Sequence, residues 1–206
     1  MKIIIFGAGG FAKEIIDLIE DNIEGDILGY IDKVESHKKI LDCPRLGSDQ
    51  HLNQIIKKYK PSHFFAAIGD SKIRSKLYSN LKSKLSPLSI ISKKAHISKY
   101  TKIGNHVAVY PYAVISTQVS IGNNTFVYSN SFVGHESKIG NHVNINPGVS
   151  IAGKVIIEDF VTVGIGASVK EKLHISKSTT IGGGAMVVKD TKPNNIYTGV
   201  PAEIMQ

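Results

Sequence analysis

Only one cysteine, Cys43, stands in the 206-residue chain, so no intrachain disulfide can form, and the composition fits a reducing, cytoplasmic compartment. Long hydrophobic runs are absent too: no stretch approaches the ~20 continuous apolar residues of a membrane span. The N-terminal MKIIIFGAGG has too short an apolar core for a signal peptide and reads as a strand entering a turn. Also missing is any block of five basic residues or any basic-aromatic interleaving, although the net charge is +8 and the pI is ≈ 9.4. Both halves share the excess: residues 1–90 carry 14 Lys/Arg against 11 Asp/Glu, and residues 91–206 carry 11 against 6. Charge dispersed in this way argues against nucleic acid as a partner and suits small anionic ligands such as phosphates.

What the chain does have is a period. From Ile91 to Val187 every sixth residue is Ile or Val, 17 positions in all, and the frame never slips. The fifth residue of each hexad, from Ala95 through Val143 to Thr191, is small or aliphatic. A helix cannot produce a strict period of six, and β-branched residues favour short strands. The expected structure is a solenoid in which each hexad makes a short strand and a corner. Its Ile or Val points inward, and successive coils stack at ~4.8 Å. Burying each inward side chain contributes ~1.5–3 kcal/mol, enough to support a column poor in aromatics. Gly104-Asn105, Gly122-Asn123 and Gly140-Asn141 suit tight corners. The unbroken frame also predicts that no large loop leaves the coils between Ile91 and Val187.

Residues 1–90 follow a different pattern, strands alternating with helices. KIIIFG, DILGYID and HFFAAIG read as strands. FAKEIIDLIEDN, QHLNQIIKKYK and DSKIRSKLYSNLKSK read as helices, the last with Asp70 or Ser71 as N-cap. A small parallel α/β domain is expected, a Rossmann-like half-domain. GAGGFA (Gly7 to Ala12) lies between a strand and a helix, where Gly9 and Gly10 let a ligand approach the backbone and the helix N-terminus offers N–H groups to an anion. Asp32, at the end of the second strand, sits where a ribose-binding acid would be. Only one mononucleotide-binding half fits before the repeat begins, which argues against NAD.

The hexad repeat resembles the hexapeptide-repeat acyltransferases, whose all-β solenoid is a left-handed parallel β-helix with three hexads per coil. Together with the N-terminal half-domain, the whole chain resembles the bacterial nucleotide-sugar acetyltransferases of the sialic acid O-acetyltransferase-like NeuD/PglD type. The matching stretches are GAGGFA, YID, AIGD with KIR just after, GHESKIG, IAGKV, IGGGAMVVKD and GVPA, although Phe11 stands where many members have His and Glu203 where a Lys is common. The resemblance implies that residues 1–90 bind a UDP-, dTDP- or GDP-linked amino sugar through Gly7, Gly9, Gly10, Phe11, Asp32, Gly69 and Asp70. It implies that residues 91–206 bind acetyl-CoA through Asn144, Gly153, Gly164, Gly182, Gly183 and Gly184. It also implies a homotrimer with the transfer site between subunits, serving bacterial surface-glycan or protein-glycan biosynthesis.

In the hexad that starts at Val133, His135 is third and Glu136 fourth, so both decorate a corner and face away from the core. Acetyl transfer to an amine needs a base for the departing proton, and an imidazole oriented by an adjoining carboxylate suits that task. The resemblance makes His135 the general base and Glu136 its orienter. One coil further on, 18 residues away, stands Gly153, whose N–H is implied to stabilise the oxyanion. His106 and His142 are corner residues on another edge and are expected simply to be solvated. His135 and His142 are seven residues apart, unlike the His pair spaced by five of the related zinc carbonic anhydrases, so no metal is expected. The activity expected is N-acetylation, by direct transfer, of the 4-amino group of a nucleotide-linked 4-amino-4,6-dideoxy sugar. O-acetylation of a sialic acid or related sugar, and a non-catalytic trimeric scaffold, are the alternatives.

Overall fold

The computed structural model describes residues 1–34 and 38–205, and the chain divides into two compact units, Met1–Ile90 and Ile91–Gln206. In the first, strands β1 (Lys2–Phe6), β2 (Asp26–Ile31), β3 (Lys39–Ile40), β4 (Cys43–Gly47), β5 (His63–Ala66) and β6 (Ser86–Pro87) form one sheet in the order β3-β4-β2-β1-β5-β6. Only β3 and β4 pair antiparallel. β1 reads as an unbroken Ile run because it is central: Ile3, Ile4 and Ile5 are wholly buried. Helices α1 (Gly10–Asn22), α2 (Leu52–Tyr59) and α3 (Ser71–Leu81) connect the strands. α1 buries Ala12, Ile15, Ile16, Leu18 and Ile19, the stripe that its apolar spacing gives. Asp70 caps α3, accepting from the Ile73 N–H at 2.8 Å. The expected strands and helices all form, most of them trimmed at an end, while α1 begins one residue earlier, at Gly10. The β3–β4 hairpin and β6 are additions, which two-residue strands and Pro44 hide from any periodicity.

The order of this sheet fixes where a ligand can bind. From β1 the chain moves outward to β2 and β4, then returns to lay β5 on the other side of β1. In open α/β sheets of this kind the ligand crevice lies beyond the carboxyl ends of the strands where the order reverses, here β1 and β5. Gly7 at the rim has φ +116°, and a Cβ there would lie 2.7 Å from the Ala67 carbonyl oxygen, so only glycine fits.

The second unit is a three-sided parallel solenoid. Two-residue strands, each made of the last residue of one hexad and the Ile or Val of the next, recur every six residues from Ile90–Ile91 to Met186–Val187 without an insertion. They form three sheets in which each strand pairs with the one 18 residues away, as Phe126–Val127 does with Asn144–Ile145. The inward column from Val109 to Val187 is buried throughout, with the fifth-position residues beside it. Fifth-position hydroxyls tie the coils: Thr125 Oγ1 donates to the Gly140 carbonyl at 2.8 Å, and Ser137 Oγ to that of Ala152 at 3.1 Å.

The corners repeat a backbone conformation as strictly as the strands repeat a residue type. From His106 to Gly184 every sixth residue, the fourth of its hexad, has positive φ, mostly non-glycine side chains at about +60°. One corner carries a side-chain ladder in which Asn105 N donates to Asn123 Oδ1, Asn123 N to Asn141 Oδ1 and Asn141 N to Asp159 Oδ1, at 2.7–2.8 Å. The expectation that His106 and His142 are solvated fails on this same corner. His106 is fully buried, and His142 is held at 2.7 Å by Asn124 and stacked on Phe160 at 4.6 Å, because fourth-position side chains one coil apart lie on one another.

Gly122 tests this packing, since a Cβ there would fall 2.6 Å from the backbone carbonyl of Gly140, which cannot yield. Gly122→Ala is expected to destabilise by ~1–3 kcal/mol, as overpacking does. Lys138→Ala, at an exposed outward position, should stay within ~0.5 kcal/mol. Equal melting temperatures for the two variants would contradict the coil stacking.

Candidate active site

Val133 ends its strand facing inward, and Gly134 follows because a Cβ there would meet the Ala152 carbonyl carbon of the next coil at 2.5 Å. The corner beyond is therefore pressed onto its neighbour and presents His135 and Glu136 outward. Backbone bonds hold it from both sides: Glu136 N–H donates to the Thr117 carbonyl at 3.0 Å, and Lys154 N–H to that of His135 at 2.8 Å. Glu136 itself takes the left-handed turn, with φ +61°.

Side-chain geometry then makes a directed base. His135 Nδ1 lies 2.9 Å from Glu136 Oε2, and Lys154 Nζ lies 3.4 Å from the same oxygen. An ionised carboxylate only accepts, so in the neutral imidazole Nδ1 carries the proton and Nε2 keeps its lone pair. The His135 hydrogen bond holds the Glu136 carboxyl below the usual carboxylate range; partial desolvation opposes this, and the Lys154 charge adds to it. Glu136 thus stays ionised when a proton arrives on the imidazole. The ring lies over Gly153, where a Cβ would sit 2.5 Å from Nε2 and 2.7 Å from Cε1. The Gly153 carbonyl accepts from Lys172 N–H at 3.0 Å, and its own N–H donates to no protein group among the described residues. An acceptor and an unspent donor therefore meet at one exposed corner.

A second His-Glu pair lacks this arrangement. His174 is bonded to Glu158 through Nε2 at 2.9 Å, and the other Glu158 oxygen accepts from Lys177 N–H at 2.6 Å. With both carboxylate oxygens used between coils, this pair fastens the solenoid, and its tautomer is the reverse of the one at His135. Cys43 carries no nucleophile either, since burial, with the nearby Glu20 charge, pushes its thiol up to about 12. Among the described residues no group of three His, Cys, Asp or Glu stands close enough to hold a metal ion.

The other residues singled out from the sequence fall into two places. Gly7, Gly9, Gly10, Phe11, Asp32, Gly69 and Asp70 gather at the carboxyl ends of β1, β2 and β5. Gly9, Gly10 and Gly69 have nothing within 4 Å of a would-be Cβ, so a ligand can reach the backbone there. The Asp32 carboxylate accepts from Val34 N–H at 2.8 Å, and that of Asp70 caps α3. On the solenoid, Gly164 and Gly182–Gly184 share one corner, and the nearly buried Asn144 lies on the strand leading into it. That corner differs from the one bearing His135 and Gly153. Lys154 was not anticipated, although it stands one coil of 18 residues beyond Glu136 and the period points to it.

Comparison with known proteins follows this division. Residues 2–81 match the PglD N-terminal domain family, and residues 100–135 match the bacterial transferase hexapeptide (six repeats) family. A comparison with curated protein sequences finds no match. Among solved structures, a histidine-to-asparagine mutant of perosamine N-acetyltransferase from Caulobacter crescentus, in complex with CoA and GDP-perosamine, superposes with TM-score 0.94 at 26% identity, covering 100% of this chain and 97% of that one. WeeI from Acinetobacter baumannii AYE gives TM-score 0.89 at 28% identity, covering 100% of both chains. The acetyltransferase domain of PglB from Neisseria gonorrhoeae FA1090 shares the fold, with TM-score 0.89 at 22% identity over 99% of both chains. An α/β unit followed by a left-handed hexapeptide β-helix, with a His–Glu pair exposed at a solenoid corner, defines an acyltransferase. Within that class the chain is similar to the NeuD/PglD-type hexapeptide acyltransferases, its first unit matching the PglD N-terminal domain family.

Gly153 offers a sharp test of the corner. In Gly153→Ala the atoms nearest the new methyl group all belong to the His135 ring, an exposed side chain that can turn aside, so the fold should survive with a melting temperature near that of the unaltered protein. The imidazole must move, and kcat should fall ~10–10²-fold, the cost of a misplacement of about 1 Å. Full kcat in this variant would show that the ring position seen here does not matter.

Proposed function

We propose that this protein transfers the acetyl group of acetyl-CoA to the 4-amino group of a nucleotide-linked 4-amino-4,6-dideoxy sugar, in the cytoplasm, for bacterial surface-glycan or protein-glycan assembly. The observation that carries this reading is the His135–Glu136 pair, whose open Nε2 lies over Gly153. As the amine nitrogen attacks the thioester carbonyl, Nε2 takes its proton, and the Glu136 carboxylate supports the imidazolium through Nδ1. Charge developing on the carbonyl oxygen falls to the Gly153 N–H. The carbon–sulfur bond then breaks, the proton passes to the leaving thiolate, and an amide remains on the sugar. Full-length similarity to an enzyme described as a perosamine N-acetyltransferase in complex with CoA and GDP-perosamine supports an amine acceptor on a nucleotide sugar.

The two units divide the binding. The crevice at the carboxyl ends of β1 and β5, with Gly7, Gly9, Gly10, Phe11, Asp32, Gly69 and Asp70 around it, takes the nucleotide. Acetyl-CoA lies along the solenoid, with its thioester near Gly153 and the rest against Asn144, Gly164 and Gly182–Gly184. Because those glycines share a corner that His135 does not, a coenzyme touching both sets is best held between two solenoids. A homotrimer of parallel solenoids supplies that arrangement and excludes water from the thioester. No helix of the described residues is long and apolar enough to cross a membrane.

Incubation with acetyl-CoA and a panel of GDP-, UDP- and dTDP-linked amino sugars should yield an amide on one class and free CoA in equal amount. In His135→Ala, kcat near neutral pH should fall ~10²–10⁴-fold with acetyl-CoA affinity retained, since the loss falls on the transition state. Near-unaltered kcat in that variant, or acetylation of hydroxyl groups alone, would sink the reading. Light scattering at micromolar concentration should report three chains, and a fully active monomer would rule out a shared site.

A further inference from the structure

Arg74 is wholly buried, rare for a guanidinium and found where its hydrogen bonds are met inside the protein. It lies in the first turns of α3, and its Nη1 donates to the Ile68 carbonyl at 2.9 Å and to the Gly69 carbonyl at 3.0 Å. Both carbonyls belong to the loop that leaves the carboxyl end of β5. The same helix grips the other end of this loop, through the Asp70 carboxylate on Ile73 N–H at 2.8 Å and the Arg74 N–H on the Asp70 carbonyl at 2.9 Å. Ile68, Gly69 and Asp70 are therefore each held by α3, through four hydrogen bonds in all. The upper side of this loop abuts the glycine turn after β1: a Cβ on Gly7 would lie 2.7 Å from Ala67 O and 3.1 Å from Ile68 Cδ1.

We propose that Arg74 is a positioning residue for the nucleotide crevice, setting affinity for the nucleotide part of the substrate while taking no part in acetyl transfer. A peptide's C=O and N–H point in opposite directions. A guanidinium that holds the Ile68 and Gly69 carbonyls therefore also sets where the Gly69 and Asp70 N–H groups point. A diphosphate taken up beside the glycine turn would meet the Asp70 N–H, and Gly69 leaves the approach open, with nothing within 4 Å of a would-be Cβ. Charge alone does not do this, since two carbonyls of consecutive residues must be held at once. A guanidinium spans both, whereas an ammonium group on a flexible stem grips them less well. The inference rests on the nucleotide-sugar reading above.

The test uses the full-length protein, its Arg74→Lys and Arg74→Gln variants, and GDP, UDP and dTDP as probes in calorimetry beside steady-state kinetics. The expected result is a KM for the nucleotide sugar, and a Kd for the nucleoside diphosphate that the unaltered protein binds, each raised by ~10-fold or more in Arg74→Lys. Arg74→Gln should be weaker still. At saturating sugar nucleotide, kcat should stay within about threefold and the KM for acetyl-CoA unchanged, a split that removal of uniform binding produces and general loosening does not. Acetyl-CoA binding and the melting temperature report folding; if Arg74→Gln does not fold, Arg74→Lys decides. Unchanged nucleotide Kd in a folded Arg74→Lys variant, or a fall in kcat with KM intact, overturns the role given to Arg74. If the unaltered protein binds none of the three diphosphates while still binding acetyl-CoA, the nucleotide reading fails, and the role of Arg74 with it.

Discussion

Every sixth residue from His106 to Gly184 turns into the left-handed region, and the solenoid depends on that turn. For a non-glycine residue the conformation costs ~1–2 kcal/mol. Its return is geometric, because it aims the N–H of the fourth residue at the third-position carbonyl of the preceding coil. Asn124 bonds Asn105, Glu136 bonds Thr117, His142 bonds Asn123, Lys154 bonds His135 and Phe160 bonds Asn141, all at 2.8–3.0 Å. One such bond, at ~0.5–1.5 kcal/mol, would barely cover the strain. The inward Ile or Val that the turn makes room for adds ~1.5–3 kcal/mol per hexad, and this decides the balance. The corner proposed as the active site is one hexad among many under this rule, so His135 and Glu136 stand on a backbone already fixed before any ligand arrives.

That rule explains what could be read from residues and what could not. The inward column is written in Ile and Val, so the solenoid, its frame and the outward placing of His135 were legible, as was Gly153 one coil beyond. The left-handed turn has no matching signature. His, Tyr, Gln, Asn, Glu, Lys, Phe and Ser all occupy the fourth position, and a conformation that locally favours glycine is imposed on them by neighbouring coils. The burial of His106 was lost for the same reason, since a corner residue looks solvated until the residues stacked along the corner are counted. In the first unit, β1, β2, β5 and three helices follow from their apolar spacing. The β3–β4 hairpin does not, because its strands are short and Cys43–Gly47 contains Pro44, which reads as a loop.

Glycines separate the parts of the solenoid that serve packing from the corner proposed to serve chemistry. At the second position of a hexad, Gly104, Gly122, Gly134, Gly140 and Gly164 each lie where a Cβ would meet main-chain atoms of the next coil at 2.5–3.0 Å. Those glycines answer to backbone, and they are needed whatever the protein does. Gly153 stands at the third position, and the three atoms nearest its missing side chain all belong to the His135 ring. A solenoid indifferent to catalysis would have no use for a glycine there, because the corresponding places on the neighbouring corner take Asn105, Asn123 and Asn141 and gain hydrogen bonds from them. Chain entropy makes glycine the costlier residue to order. Its presence under an imidazole whose other nitrogen is tied to a carboxylate is accounted for by keeping that ring, and the N–H beneath it, open to a ligand.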